Sequence, residues 1–351
     1  MIYSITNTMK NTLLITALVL VLNQTYGAPI NNEAVAYLNK VTAPVNGLKN
    51  ETWQYLKAIT RGRGARKVEN KRQKLLNELE EAKRKVKGVG AYQSDNALKK
   101  SVVQYLGLTH TVLNEDFGKI LNMEEIAEQS YDAMEAYLLA KERAHAKLDS
   151  ASALMRQAEK NFAAKYGINL IESEADRTSQ KIQRASETLD YYNDVYLIFF
   201  KSYKEEMYIL DALQRSDISA IEQHGSALIS FADEGMGQLK AAGDYQYDAS
   251  LRLAAQRMLG FYRGEAEKDI PTIVDFYLKK DRFEQMQKKM DAKKKKDVTQ
   301  ADIDQFNKAV SEYNESINSF NARNDALNRK RADRLDEWNK AVKSFFDKHG
   351  A

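Results

Sequence analysis

The chain has 351 residues, a formal net charge of +4 with 29% charged residues, three prolines and no cysteine. The length accommodates two domains of ordinary size. Near-balanced charge excludes a nucleic-acid binder driven by composition, and the missing thiol excludes disulfides and a lipoprotein anchor. With Pro29, Pro44 and Pro271 as the only helix breakers of their kind, among abundant Ala, Leu, Lys, Glu and Gln, the predicted fold class is all-α.

Lys10 precedes an apolar run from Leu13 to Leu22, followed by Asn23-Gln24-Thr25-Tyr26-Gly27-Ala28. The run is shorter than the ~20 residues a bilayer-spanning helix needs, so residues 1–27 read as a signal peptide cleaved after Gly27. Export follows, to the periplasm, cell surface or medium, with no transmembrane helix in the mature chain.

A helical pattern over Asn32 to Ile59 should bend near Pro44 and Gly47. Thr60-Arg61-Gly62-Arg63-Gly64 is a turn, and Ala65 to Lys87 is an amphipathic helix with Val68, Leu75, Leu76, Leu79 and Val86 on its buried stripe. Arg61, Arg63, Arg66, Lys67, Lys71 and Arg72 crowd this turn and helix start. They form a candidate site for an anionic glycan or lipid headgroup, or pair with neighbouring acids such as Glu69 and Asp116.

Gly90-Ala91-Tyr92-Gln93-Ser94-Asp95 returns as Gly243-Asp244-Tyr245-Gln246-Tyr247-Asp248, an offset of 153 residues (243 − 90). The same offset pairs Leu75 with Leu228, Leu106-Gly107 with Leu259-Gly260, and Gly118 with Pro271. Such a period is too long for a solenoid, so the chain reads as two tandem duplicated helical-bundle units of about four long helices each, over 28–167 and 174–351 with a linker at 168–173. The basic cluster has no counterpart in the second copy, where Gln214, Ser216, Ser219, Ala220, His224 and Gly225 stand instead.

Asp95 is placed to cap a third helix running to about Phe117. A fourth helix is expected from Asn122 to Tyr166, on a seam that includes Ile126, Ser130, Ala133, Tyr137, Ala144, Leu148, Met155 and Phe162. Glu128, Asp132, Glu135, Glu142 and Asp149 form a stripe on the opposite face. Glu142 and His145 have the Glu-x-x-His spacing of ferritin-like di-iron bundles, which require two such pairs facing the bundle core; the chain has one. A metal-binding helical bundle is therefore the alternative reading, and no cofactor is expected on the main one.

Gly167 should end the fourth helix. The next helix carries apolar and aromatic groups on almost every face from Tyr191 to Tyr203, which predicts a central, protein-surrounded position. A Lys-rich insertion near 291–297 interrupts the second copy. The last helix, from about Thr299 to Lys348, has a coiled-coil-like seam through Phe306, Val310, Tyr313, Ile317, Phe320, Leu327, Leu335, Trp338, Val342 and Phe345, with Asn324 and Arg331 as polar breaks. The chain contains no Walker loop, nucleophile elbow, His-Glu-x-x-His or Rossmann fingerprint, so no catalysis is expected.

Ala65-Arg66-Lys67-Val68-Glu69-Asn70-Lys71-Arg72, the stretch Asn122 to Tyr137 and Val195-Tyr196-Leu197-Ile198-Phe199-Phe200-Lys201-Ser202-Tyr203-Lys204 together make the mature chain resemble the LIC-type family of uncharacterised bacterial surface proteins. That resemblance implies export and a cell-surface location and brings no activity, cofactor or catalytic residue. The lack of cysteine departs from lipid-anchored surface proteins. The resulting expectation is an exported cell-envelope or surface protein that binds an envelope partner or serves structurally.

Overall fold

The computed structural model describes residues 24–26, 32–61, 65–116, 129–172 and 176–350, and the fold is all-α. The helices are α1 (Asn32–Asn46), α2 (Lys49–Thr60), α3 (Ala65–Lys87), α4 (Ala97–Thr111), α5 (Tyr131–Tyr166), α6 (Arg177–Arg215), α7 (Ile218–Ala242), α8 (Ser250–Gly264), α9 (Ile270–Ala292) and α10 (Gln300–His349). One short antiparallel ribbon joins β1 (Gln24–Tyr26) to β2 (Leu170–Glu172), with Thr25 opposite Ile171. Cleavage after Gly27 would remove β1. Among the described residues, no helix is long and apolar enough to cross a membrane.

The repeat seen in the sequence is also a repeat of backbone geometry. A π turn follows α4 at Val112–Asp116, and another follows α8 at Glu265–Asp269, at the same offset. In each Gly-x-Tyr-Gln loop, Tyr92 pairs with Asp95 and Tyr245 with Asp248. Gln93 and Ser94 have φ of 48° and 65°, and Gln246 and Tyr247 have the same two values. A bulky side chain is unfavourable in this left-handed region. Tyr247 nevertheless occupies it and is fully exposed, at the position where the first copy has Ser94.

The chain divides into two compact units, one of them Val195–Val342 and the other the remainder. The division falls inside α6 and α10 rather than in the 168–173 stretch. α6 runs unbroken through this point, with Tyr192, Val195, Tyr196, Phe199 and Phe200 all buried along it.

In the unit containing the first copy, α3 packs on α2 and α4, and α4 packs on α5. Trp53 and Leu56 of α2 cluster with Ile182 and Ala185 of α6. Tyr37, Tyr92, Phe162 and Tyr166 form an aromatic cluster with centroids 4.7–5.9 Å apart, and this cluster pins the first repeat loop against α1 and α5. Asp95 reinforces it by accepting from Lys165 at 2.7 Å and from the Tyr166 hydroxyl at 3.2 Å. Its other oxygen accepts from the Ala97 amide, although the helix begins one residue later than an Asp95 cap would place it, with Asn96 at the N-cap. The end of the chain docks in this unit too: Thr60 Oγ1 donates to the Gly350 carbonyl and Thr188 Oγ1 to that of His349.

α5 begins at Tyr131, not near Asn122, because the Ser130 hydroxyl accepts from the Ala133 amide at 3.1 Å and caps the helix there. Ile126, Gly118 and the stretch from Asn122 lie outside the described residues. Further along the seam Tyr137, Ala144, Leu148, Met155 and Phe162 are buried while Ala133 is half-buried, and Gly167 closes the helix at φ 67°.

In the other unit, α7 and α8 pack closely and α9 lies on α7. Trp338 of α10 is fully buried with its ring 4.8 Å from Phe199. The α9–α10 pair is held by ring stacks, Phe276 on Phe320 at 4.2 Å and Phe283 on Tyr313 at 5.1 Å. The Lys-rich interruption is a short 3₁₀ turn, Lys295–Asp297. After it Thr299 and Asp302 form a reciprocal capping box, and Asp302 also accepts from Lys293. These hydrogen bonds hold its carboxyl well below the usual carboxylate range.

Two predictions test this packing. A Cβ on Gly235 would lie 2.8 Å from Leu259 Cδ1 and 3.1 Å from Ile198 Cγ2, whereas the first copy has a buried alanine, Ala82, at the matching position. Gly235→Ala sets an overpacking cost of about 1–3 kcal/mol against the ~1 kcal/mol a helix interior gains from Gly to Ala, so it should destabilise by up to about 2 kcal/mol in urea titrations, and a raised midpoint would show that the second core is looser. Glu159 on α5 is 3% exposed, and burial pushes its carboxyl up to about 7 from 4.5. The folded state then binds the extra proton, so this group's contribution to stability is intact below the unfolded value and is lost as pH rises through about 7. Glu159→Gln should remove that slope and gain up to about 3 kcal/mol at pH 8; parallel pH–Tm curves for the two proteins would contradict this.

Candidate functional site

Among the five predicted cations that are described, Arg72 stands apart from the exposed ones. Arg72 is buried: its guanidinium holds Glu69 in two bonds of 2.7–2.8 Å and donates to the Leu113 carbonyl at 2.8 Å. It anchors α3 to the first π turn. Its charge is met by Glu69, which the hydrogen bonds from Arg72 keep below the ordinary glutamate range. Arg61, Arg66 and Lys67 are exposed and Lys71 half-buried; among the described residues no ion pair joins any of the four to an acid. Arg63 lies outside the described residues.

The first turn of α3 therefore carries Arg66 and Lys67 with no acid. A helix N-terminus bears a partial positive charge, so each cation there costs about 0.3–1 kcal/mol. In the second copy the matching helix start is ordinary: Asp217 accepts from the Ala220 amide as an N-cap.

On α5, Asp132, Glu135, Glu142 and Asp149 are exposed, as the stripe predicts, and Glu128 lies outside the described residues. Glu142 and His145 diverge, Glu142 outward and His145 towards the interior. Burial, followed by the charge of Lys141, pulls the His145 imidazole down to about 3. A cation beside a candidate ligand disfavours a divalent ion, and no set of three or more His, Asp or Glu poised to hold a metal exists among the described residues.

Sequence reading missed the most concentrated polar chemistry in the fold. Glu206 of α6 and Glu265, first residue of the second π turn, are 1% and 2% exposed. Arg331 of α10 lies between them, with Nε to Glu206 at 2.5 Å, Nη2 to Glu265 at 2.6 Å and Nη1 to Asn328 Oδ1 at 2.5 Å. The second oxygen of Glu265 has no donor facing it, and neither has the adjacent buried Tyr262 hydroxyl. Burial, then the neighbouring Glu206 charge, raises the Glu265 carboxyl well above its ordinary range. A proton on Glu265, donated to Glu206, satisfies both carboxyls and leaves one negative charge against Arg331.

The repeat supplies a control. At the matching positions the first copy has Trp53, Val112 and Thr109 in place of Glu206, Glu265 and Tyr262. The fold and its π turn thus form without the acids. Arg331 was visible in the sequence as a break in the α10 seam, but its two partners lie 125 and 66 residues away and carry no local signal.

Fold and site define an all-helical protein with an internally repeated loop-and-π-turn unit, a basic helix start in one copy and a buried acid pair in the other. No family model, curated protein or solved structure matches the chain.

Removing Arg331 would leave a buried charge without its counterion. Arg331→Ala should cost about 3–5 kcal/mol in urea denaturation monitored by tryptophan fluorescence. A loss under about 1 kcal/mol would mean the cluster is wetter and weaker than its geometry indicates.

Proposed function

We propose that the chain is an exported, non-catalytic helical protein of the cell envelope, which holds an anionic partner on the basic start of α3. Export rests on the Lys10 and Leu13–Leu22 leader pattern. The partner chemistry is phosphate or carboxylate, presented by a lipid headgroup or an envelope glycan.

The observation that carries this reading is the uncompensated charge of Arg66 and Lys67 in the first turn of α3, beside Arg61. An unliganded helix start favours an acid or a neutral cap, as α7 has. A bound anion would meet the helix dipole, free backbone amides and the cations together, reversing the cost. Only the first copy offers this arrangement, so duplication has left one binding end and one neutral end.

Replacing Arg61, Arg63, Arg66 and Lys67 by serine should weaken binding to vesicles containing phosphatidylglycerol, or to an anionic polysaccharide, by about 10²-fold or more, at ~1 kcal/mol per cation near an anionic surface. Binding of the unaltered protein should also fall with salt. Unchanged binding with an unchanged circular dichroism spectrum would remove the basic cluster from the reading. The mature protein from its own cells should begin at Ala28 by N-terminal sequencing; a retained Met1 would overturn export by this leader.

A further inference from the structure

α9 and α10 form a hairpin held together by rings. Phe306, Tyr313 and Phe320 of α10, seven residues apart, meet Phe276 and Phe283 of α9 at centroid distances of 4.2–6.1 Å. Among the described residues, every ion pair and ring contact between residues 278 and 318 joins two residues of this hairpin. A different side of α10 is open. One residue on from each ring, about 100° round the helix, stand Asn307, Asn314 and Asn321, all exposed. Between the two rows lie Ile303, Val310 and Ile317, again seven apart, with Ile303 38% exposed and the others half-buried.

This face carries no charge. The five charges between residues 303 and 324, Asp304, Lys308, Glu312, Glu315 and Arg323, all fall on the far side, roughly 160° to 260° from the ring row. A chain with 29% charged residues thus keeps ~33 Å of helix face uncharged. Asparagine is also among the poorer helix formers, because its amide competes for backbone hydrogen bonds. Elsewhere the exposed helical amides pair with an acid four residues away, as in Gln73 on Glu69, Gln238 on Glu234 and Gln285 on Asp281. Asn307 and Asn314 have no acid at that spacing. Helix stability therefore does not account for them.

We infer that the uncharged face of α10 from Ile303 to Asn324 is a homodimer contact, on which the same face of a second copy of this chain lies antiparallel. A two-fold interface brings each patch against itself. Charged rows would repel their twins there, whereas a carboxamide carries both donor and acceptor and pairs with another carboxamide. Ile and Val at seven-residue spacing supply the apolar layers of a helix–helix seam, and depletion of charge is what marks an interface core. The direction follows from the hairpin tip, where Lys294, Lys295 and Lys296 are exposed. Parallel helices would bring the two lysine turns together; antiparallel ones place them at opposite ends, with Asn314 beside the two-fold axis. A contact of this length is at the small end of specific interfaces, so the dimer is a micromolar one.

The test is sedimentation equilibrium of the full mature chain from about 1 to 200 µM, where a monomer–dimer equilibrium should be resolved. Asn307→Glu with Asn314→Glu should raise the dissociation constant about tenfold or more by setting like charges across the axis. Both sites are exposed and glutamate is the better helix former, so the hairpin itself is not weakened. Lys308→Glu, on the far side, should leave the equilibrium within about twofold. Because the chain has no cysteine, a single Asn314→Cys thiol can be probed with a short bismaleimide and should cross-link two copies. Asn307→Cys should not, since antiparallel packing sets the two thiols roughly 20 Å apart. A monomer at 200 µM would overturn the proposal and leave the face to a different protein. A dimer indifferent to the two glutamates would overturn the face as its contact, and equal cross-linking at both sites would overturn the antiparallel arrangement.

Discussion

Everything in this fold rests on burying large aromatic rings, because the chain has no cysteine with which to staple its helices. Fully buried Trp338, Tyr196, Phe199, Phe200 and Tyr262 form the centre of one unit, and fully buried Tyr55, Tyr137 and Tyr192 belong to the other. Each ring removes roughly 150–250 Å² from water. That apolar burial is what offsets the backbone entropy of helices as long as α6 and α10. Ring contacts also join elements within each unit: Tyr92 joins its loop to α1 and α5, and Phe276 and Phe283 join α9 to α10.

On that apolar frame the duplication separates what the fold requires from what it merely carries. Both copies keep the left-handed pair in the repeat loop, the Tyr–Asp bridge and the π turn. They differ in charge. The first anchors its π turn with Arg72, reaching across to the Leu113 carbonyl. The second has Gly225 at the matching position, close against Ile270, and secures its own π turn through Glu265 and Arg331. One backbone has therefore been tied down by two unrelated polar solutions.

The electrostatics follow from where each charge meets water. Asp132, Glu135, Glu142 and Asp149 on α5 and Lys294, Lys295 and Lys296 before Asp297 are exposed and need no counterion. Arg66 and Lys67 are exposed at the wrong end of a helix, which makes them a mild liability without a ligand. Glu206 and Glu265 are buried against a half-buried Arg331, and the three charges balance only when one proton is counted among them. The first arrangement is neutral in energy, the second carries a small cost, and the third raises the Glu265 carboxyl above its ordinary range.

Helix periodicity and breaker residues carried most of the fold in the sequence itself. The bounds of α3, the bend at Pro44 and Gly47, the closure of α5 at Gly167 and the placement of Pro271 at the start of α9 are local events, decided by side chains within one or two turns. The repeat was legible for the same reason, since a duplicated string needs no contact to be recognised. Elsewhere spacing alone left the choice open or pointed the wrong way. Ser130 fitted the α5 seam by spacing, yet its hydroxyl caps the helix. Arg72 fitted either a basic patch or a pair with Glu69, and its guanidinium takes the second, adding the Leu113 carbonyl that no local signal announced. The acid pair lay wholly beyond sequence reading: Glu206 and Glu265 are ordinary glutamates in charged helices until packing brings them to one guanidinium on α10. Chain order determined the helices, because hydrogen bonds within a helix span only four residues. Tertiary packing alone decided which charges lost their water, because burial is set by neighbours far away along the chain.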